Sequence, residues 1–142
     1  MEAKAKSFTF LGNEGKVKIP FFQRGYVWKE ENWSDLLDDL KYTEKTHFLG
    51  SLILKQQPAW AGEVKEVLVI DGQQRLTTLS ILVKVLFDLF SDELKQTTKP
   101  LVQSYLFYKK TPTDKNFFLK IQHSHMDTIA FKEVIEDPGI QG

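Results

Sequence analysis

The apolar positions of the chain change period along its length, and each change marks an element. Lys16-Val17-Lys18-Ile19 alternates as a short strand does, and Pro20, with no N–H to give a ladder, ends it. From Glu31 the period becomes helical. Trp33, Leu36, Leu37 and Leu40 recur at i, i+3, i+4 and i+7, while Asp35, Asp38, Asp39 and Lys41 take the other face. That acidic face reads as solvated helix surface rather than as a carboxylate cluster. His47 to Lys55 reads as a strand carrying Phe48, Leu49, Leu52, Ile53 and Leu54. Gln56 to Glu63, with Pro58 and Gly62, is a hairpin-type connection, and Val64 to Ile70 is the returning strand. A long helix is expected from about Gly72 to Phe90. Ser91 to Pro100 is polar and predicts a loop, and Leu101 to Tyr108 fits helix and strand equally well. Phe117 to Ile121 predicts a strand, and Met126 to Glu136 a short helix built on Ile129, Phe131, Val134 and Ile135. The tail from Asp137 closes no element. With no repeat, low-complexity tract or linker, the pattern predicts one α+β domain over residues 1–142, a small mixed sheet packed with helices.

The junction between the second strand and the long helix, Asp71-Gly72-Gln73-Gln74-Arg75, concentrates a carboxylate, a glycine, two amides and a guanidinium in one turn. On a helical wheel Gln73, Thr77, Ser80, Lys84 and Asp88 form a narrow polar stripe, opposite Leu79, Leu82, Leu86 and Phe90. Arg75 projects in line with the leucines, so this reading expects it to point inward and to require an anion. One source of that anion is Asp71, in a structural ion pair. The other is a ligand phosphate or carboxylate, which the N–H groups of Gly72, Gln73 and Gln74 and the helix dipole would also favour. The turn is not a Walker A loop, since it lacks the second glycine and the Lys-Ser/Thr pair.

Composition narrows the partners. Lys+Arg and Asp+Glu both number 19, so an anion site must be local rather than a basic field. The absence of cysteine excludes disulfides, thiolate metal sites and a cysteine nucleophile, and fits a reducing cytoplasm. No apolar run reaches membrane-spanning length, so no membrane partner is expected.

A second cluster repeats the chemistry of the first. In Pro20-Phe21-Phe22-Gln23-Arg24-Gly25-Tyr26-Val27-Trp28, a Gln-Arg pair again follows a strand. Arg24 could share a polyphosphate with Arg75, while Tyr26 and Trp28 could stack on a base or simply pack in the core. His123 and His125, followed by Asp127, suggest a metal pair, but no third ligand is evident nearby and strand-end polarity explains them better. A competing class is a DNA-recognition module without catalysis. Lys16, Lys18, Arg24 and Lys29 would then touch phosphates while Tyr26 or Trp28 reads an altered base. Neutral net charge weighs against it. A third reading makes the chain a scaffold in which Arg75 only pairs with Asp71.

Taken together, Ile19-Pro-Phe-Phe-Gln-Arg-Gly-Tyr-Val-Trp, Phe48-Leu-Gly-Ser and Val69-Ile-Asp-Gly-Gln-Gln-Arg-Leu-Thr-Thr-Leu resemble the N-terminal domain of GmrSD-type, modification-dependent restriction proteins. The resemblance runs from about Lys18 to Phe90, with Ser124 to Phe131 a looser match downstream. It implies the broad ParB/sulfiredoxin-like fold group, to whose Gly-x-x-Arg phosphate loop Gly72-Gln-Gln-Arg is similar, without sulfiredoxin's cysteine. It further implies binding and hydrolysis of a nucleoside triphosphate with Mg²⁺, coupled to sensing of modified DNA in anti-phage restriction. By position, Gln23, Arg24, Gly72 and Arg75 would bind nucleotide. Asp71, Gln73 and Gln74 would be catalytic, Asp71 through Mg²⁺, and Tyr26 and Trp28 would be nucleic-acid contacts. There is no HNH nuclease signature, so the chain is expected to be the N-terminal part of a larger GmrSD-like N-terminal domain. The nuclease would then come from a missing C-terminal domain or a partner.

Overall fold

Two short parallel strands, β1 (Lys16–Lys18) and β3 (Glu66–Asp71), form the centre of the structure, with Val17 opposite Val67 and both almost fully buried. The computed structural model describes residues 7–20, 27–41, 52–58, 62–111, 113–123 and 127–136. A 3₁₀ turn at Phe8–Asn13 precedes β1. Between the central strands lie α1 (Glu30–Lys41) and β2 (Ile53–Gln56). After β3 come α2 (Gln73–Leu89), α3 (Asp92–Leu106), β4 (Phe107–Tyr108), β5 (Phe118–Leu119), β6 (Ile121–Gln122) and α4 (Asp127–Glu136). The main sheet has the order β2-β3-β1-β6, with β2 antiparallel to β3 and β6 parallel to β1. This is the expected α+β arrangement of helices around a small mixed sheet.

Gly15 admits the chain to the sheet. A Cβ there would stand 2.5 Å from the Lys65 carbonyl oxygen, which accepts the Lys16 N–H. Only a residue without a side chain permits that approach. The core over the sheet joins Val17, Val67 and Val69 to Leu76 and Phe87 of α2, Leu106 of α3 and Phe131 and Ile135 of α4.

Four sequence expectations are corrected. Ser91 to Pro100 is not a loop but most of α3, and the signals for it were present. The Ser91 hydroxyl caps the helix by accepting the Leu94 N–H at 3.3 Å, and Asp92 and Glu93 occupy the positive end of the dipole. Pro100 lies inside this helix, where it forgoes one ladder hydrogen bond; Val102 and Leu106 bury the helix beyond it.

The single strand expected at Phe117 to Ile121 is split by Lys120. β5 pairs with β4 in a separate two-stranded sheet, and β6 crosses to β1. Lys120 is only 1% exposed, and its ammonium donates to the carbonyls of Leu11, within the 3₁₀ turn, and Ser104, in the last turn of α3. Burial lowers its pKa to about 8 against the opposing pull of Glu14. The acidic face of α1 is exposed as expected, but its apolar face is narrower: Leu36 is buried, whereas Trp33 and Leu37 are exposed.

The fourth correction is the largest. α2 turns its polar stripe inward. Thr77, Ser80 and Lys84 are buried, whereas Val85, Leu86 and Leu89 are exposed, Leu89 at 76%. A wheel fixes the angles between residues but not which side meets the core. Here the inward polar groups are satisfied, other than the Ser80 hydroxyl, which is buried without a hydrogen-bond partner among the described residues. Lys84 donates to Asp88 at 2.5 Å, Thr78 to the Gln74 carbonyl at 2.9 Å, and Thr77 bonds His123 at 2.9 Å. Leu76 and Phe87 supply the apolar contact on the same face.

Candidate functional site

A β-bulge sets the site up. Along β3 the period of two buries Val67 and Val69, and without interruption Asp71 would follow them inward. The register with β2 instead shifts, Leu54 facing Val69 and Ile53 facing Asp71, so Ile70 is the extra residue. The alternation breaks, and Asp71 emerges exposed.

Gly72 follows in the left-handed conformation, with φ 99° and ψ 11°, and no side chain caps the helix it opens. The first bond of α2 runs from the Leu76 N–H to the Gly72 carbonyl at 3.0 Å. The N–H groups ahead of it have no acceptor inside the helix, and the positive end of the dipole lies with them.

The two clusters singled out in the sequence meet at this turn. The Val27 N–H donates to the Gln74 side-chain oxygen at 2.8 Å, across 47 residues of chain. One position further along each segment, the Arg75 guanidinium carbon lies 6.0 Å from the centre of the half-buried Trp28 ring, a cation–π distance. The segment then turns into α1, whose start is fixed by the Lys29 N–H donating to Asn32 Oδ1 at 2.9 Å. Gln23, Arg24 and Tyr26 lie outside the described residues.

Arg75 does not point inward. It is exposed, as follows directly from the inverted packing of α2, and it forms no ion pair with the exposed Asp71. The internal pair that would have made this turn purely structural is absent. Gln73 is half-buried at the first helical position, and Gln74 is 9% exposed. The sequence reading gave these two amides the same catalytic role; the structure gives them different surroundings.

Behind the turn, His123 braces the buried face of α2. Its Nε2 bonds the Thr77 hydroxyl, and its ring lies 4.6 Å from that of Phe131. Burial pushes its pKa down to about 4, against the pull of Asp127, so it is neutral at pH 7. Nδ1 is buried without a hydrogen-bond partner. Sequence reasoning weighed His123 as a metal ligand and preferred strand-end polarity, without foreseeing a brace on α2. Among the described residues no group of three His, Asp or Glu side chains could hold a metal, and His125 lies outside them. The clue to its real place was Thr77 on the polar stripe.

Residues 8–140 match the model of the family described as GmrSD restriction endonuclease, N-terminal domain. The chain belongs to this family. It is also similar to an uncharacterized protein of Methanocaldococcus jannaschii, MJ0686, at 29% identity over 108 residues. That alignment covers 61% of this chain and 17% of the relative, so the chain spans a small part of the protein it matches.

In this GmrSD N-terminal domain the turn after β3 presents one carboxylate, one guanidinium and an uncapped helix start to solvent. Such a set can hold an anion through the arginine and the backbone, and offers a hard oxygen donor beside it. Among the described residues no helix is long and apolar enough to cross a membrane.

Proposed function

We propose that this domain binds and hydrolyses a nucleoside triphosphate as the regulatory module of a modification-dependent restriction system acting against phage. The observation that carries the reading is the exposed pair Asp71 and Arg75, unpaired with each other, at a glycine-opened helix start that the first cluster's Trp28 adjoins. Arg75 and the backbone N–H groups after Asp71 bind phosphate oxygens, and Arg24 adds a second guanidinium. Gln23 belongs to the same nucleotide-binding set, and Tyr26 and Trp28 to the contact with a base. A glutamine of the turn, Gln73 or Gln74, orients the attacking water.

Mg²⁺ fits this donor set only together with the nucleotide. Asp71 supplies one hard oxygen, and no protein cluster among the described residues could hold the ion alone. This is the usual manner of a magnesium that arrives on phosphates. When bound, it would neutralise charge on the phosphates. The nuclease is an HNH domain or partner beyond this chain, in keeping with the greater length of the relative.

The alternative, modified-base sensing without catalysis, is less well supported. Lys16, one of its phosphate contacts, is 3.8 Å from Glu66 in an ion pair, and the net charge of the chain is zero.

Titration of each nucleoside triphosphate with Mg²⁺, following melting temperature and phosphate release, tests the proposal beside Arg75→Ala. Nucleotide at a hundred times its dissociation constant should stabilise the fold by about 2.7 kcal/mol. Arg75→Ala, in a protein that stays folded, should abolish that gain. No shift and no phosphate release with any nucleotide would refute the reading. A DNA mobility shift lost only on changing Trp28 or Tyr26, with no effect of nucleotide, would favour the alternative.

A further inference from the structure

The two glutamines of the turn have different surroundings, and the difference assigns them different work. The Gln74 side chain is nine-tenths buried, and its oxygen is engaged by the Val27 N–H at 2.8 Å. Gln73 is half-buried, and among the described residues its side chain has no hydrogen-bond partner. The segment that Gln74 holds is the one that carries Trp28. Val27 is 50% exposed, so little burial of its own side chain fixes this stretch.

We propose that Gln74 is a positioning residue, a strap that fastens the first cluster to the helix start, and that of the two glutamines only Gln73 is placed to meet a ligand. Because Val27 and Trp28 are adjacent, a backbone bond to Val27 sets the height of the indole against Arg75. The guanidinium and the ring then form one surface made from segments 47 residues apart. A neutral amide oxygen suits the purpose. It accepts the N–H and adds no negative charge beside a phosphate site. This division of labour rests on the nucleotide reading only for its effect on binding. The strap itself stands on the geometry.

The test has two arms. In the protein without nucleotide, amide hydrogen exchange at Val27 should quicken by roughly tenfold or more in Gln74→Ala, as a protecting acceptor is lost. In Gln74→Glu, whose carboxylate still accepts, protection should be retained. Trp28 emission, isolated by difference against Trp28→Phe, should shift in Gln74→Ala and not in Gln74→Glu. Should Gln74→Ala fail to fold, Gln74→Met provides the variant without an acceptor. Unchanged Val27 exchange and Trp28 emission in a folded variant lacking the acceptor would overturn the strap.

In the second arm, Gln74→Ala should raise the KM for nucleotide about tenfold with kcat little changed, whereas Gln73→Ala should lower kcat with KM held. A fall in kcat alone for Gln74→Ala would overturn the division of labour. Absence of nucleotide turnover by the wild-type domain would count against the functional reading and leave the exchange arm to decide the strap.

Discussion

Replacing Asp88 by Ala tests the least expected feature of the structure, the inward polar stripe of α2. Lys84 is 1% exposed and donates to Asp88 at 2.5 Å, while the Asp88 side chain is 29% exposed. Removing the carboxylate from a surface i,i+4 pair would cost only about 0.3–0.5 kcal/mol. Taking the Asp88 carboxylate from a buried lysine is different, because a large part of what offsets the ammonium's desolvation goes with it. A fully buried pair broken in this way loses about 3–5 kcal/mol. The partial exposure of Asp88 lets water replace some of its effect, so about 2–3 kcal/mol is expected, or roughly 6–12 °C in Tm for a chain of this length. The paired substitution sharpens the argument. Lys84→Met removes the charge with its desolvation cost and keeps an apolar stem of similar length, so it should change stability by less than about 1 kcal/mol in either direction. Thermal and urea melts of both variants, with Leu89→Gln as an exposed control expected within about 0.5 kcal/mol, provide the measurement. If Asp88→Ala cost no more than Leu89→Gln, or if Lys84→Met were the worse of the pair, the stripe would face solvent and the packing described for α2 would be wrong.

Two further outcomes follow from the same contacts. Since the His123 pKa falls from 6.5 to about 4 on folding, the unfolded chain binds a proton in that window that the folded chain does not. Stability from this group is therefore complete above pH 6.5, declines as pH drops towards 4, and the loss reaches at most about 3 kcal/mol. The difference in Tm between wild type and His123→Gln should shrink across that window; a difference independent of pH would refute the assignment. Gly15→Ala would drive a Cβ to 2.5 Å from the Lys65 carbonyl oxygen, a backbone atom that cannot swing away. A loss of about 1–3 kcal/mol in chemical denaturation is expected, and a neutral result would show that β1 enters the sheet by another path.

How much of this was legible depends on what each signal encodes. Strands β1 and β3 and helix α2 were readable because alternation and helical period report local geometry directly, and the Gly72 turn because only a few residues accept a positive φ. Helix α3 was misread because Ser91 to Pro100 was taken as a loop on its polarity alone. The Thr97 and Thr98 hydroxyls return to the Glu93 and Leu94 carbonyls, and the capped start outweighs the proline. The break at Lys120 was invisible because its cause is distant: the carbonyls that receive its ammonium belong to residues 11 and 104. At the site, the meeting of the two clusters was anticipated from their matching chemistry, but the direction of Arg75 was not. A sequence states that two faces of a helix differ without stating which of them has partners waiting.

That direction ties the packing to the site. If α2 were rolled by roughly half a turn to bury Leu82, Leu86 and Leu89, Arg75 would travel inward with them, since it shares their side of the wheel. The roll would also carry Thr77 away from His123 and Lys84 out of the interior. Gln74 lies between the faces, so its reach to Val27 would be lost as well. The bond of Thr77 to His123, with the core contacts of Leu76 and Phe87, is thus what leaves three large apolar residues of α2 uncovered or half covered, and what keeps a guanidinium in solvent beside Trp28. For a helix whose task is only to fill a core this is a poor arrangement. For one that must present an arginine and an open amino end at the close of a strand, burying the polar stripe is the orientation that achieves both.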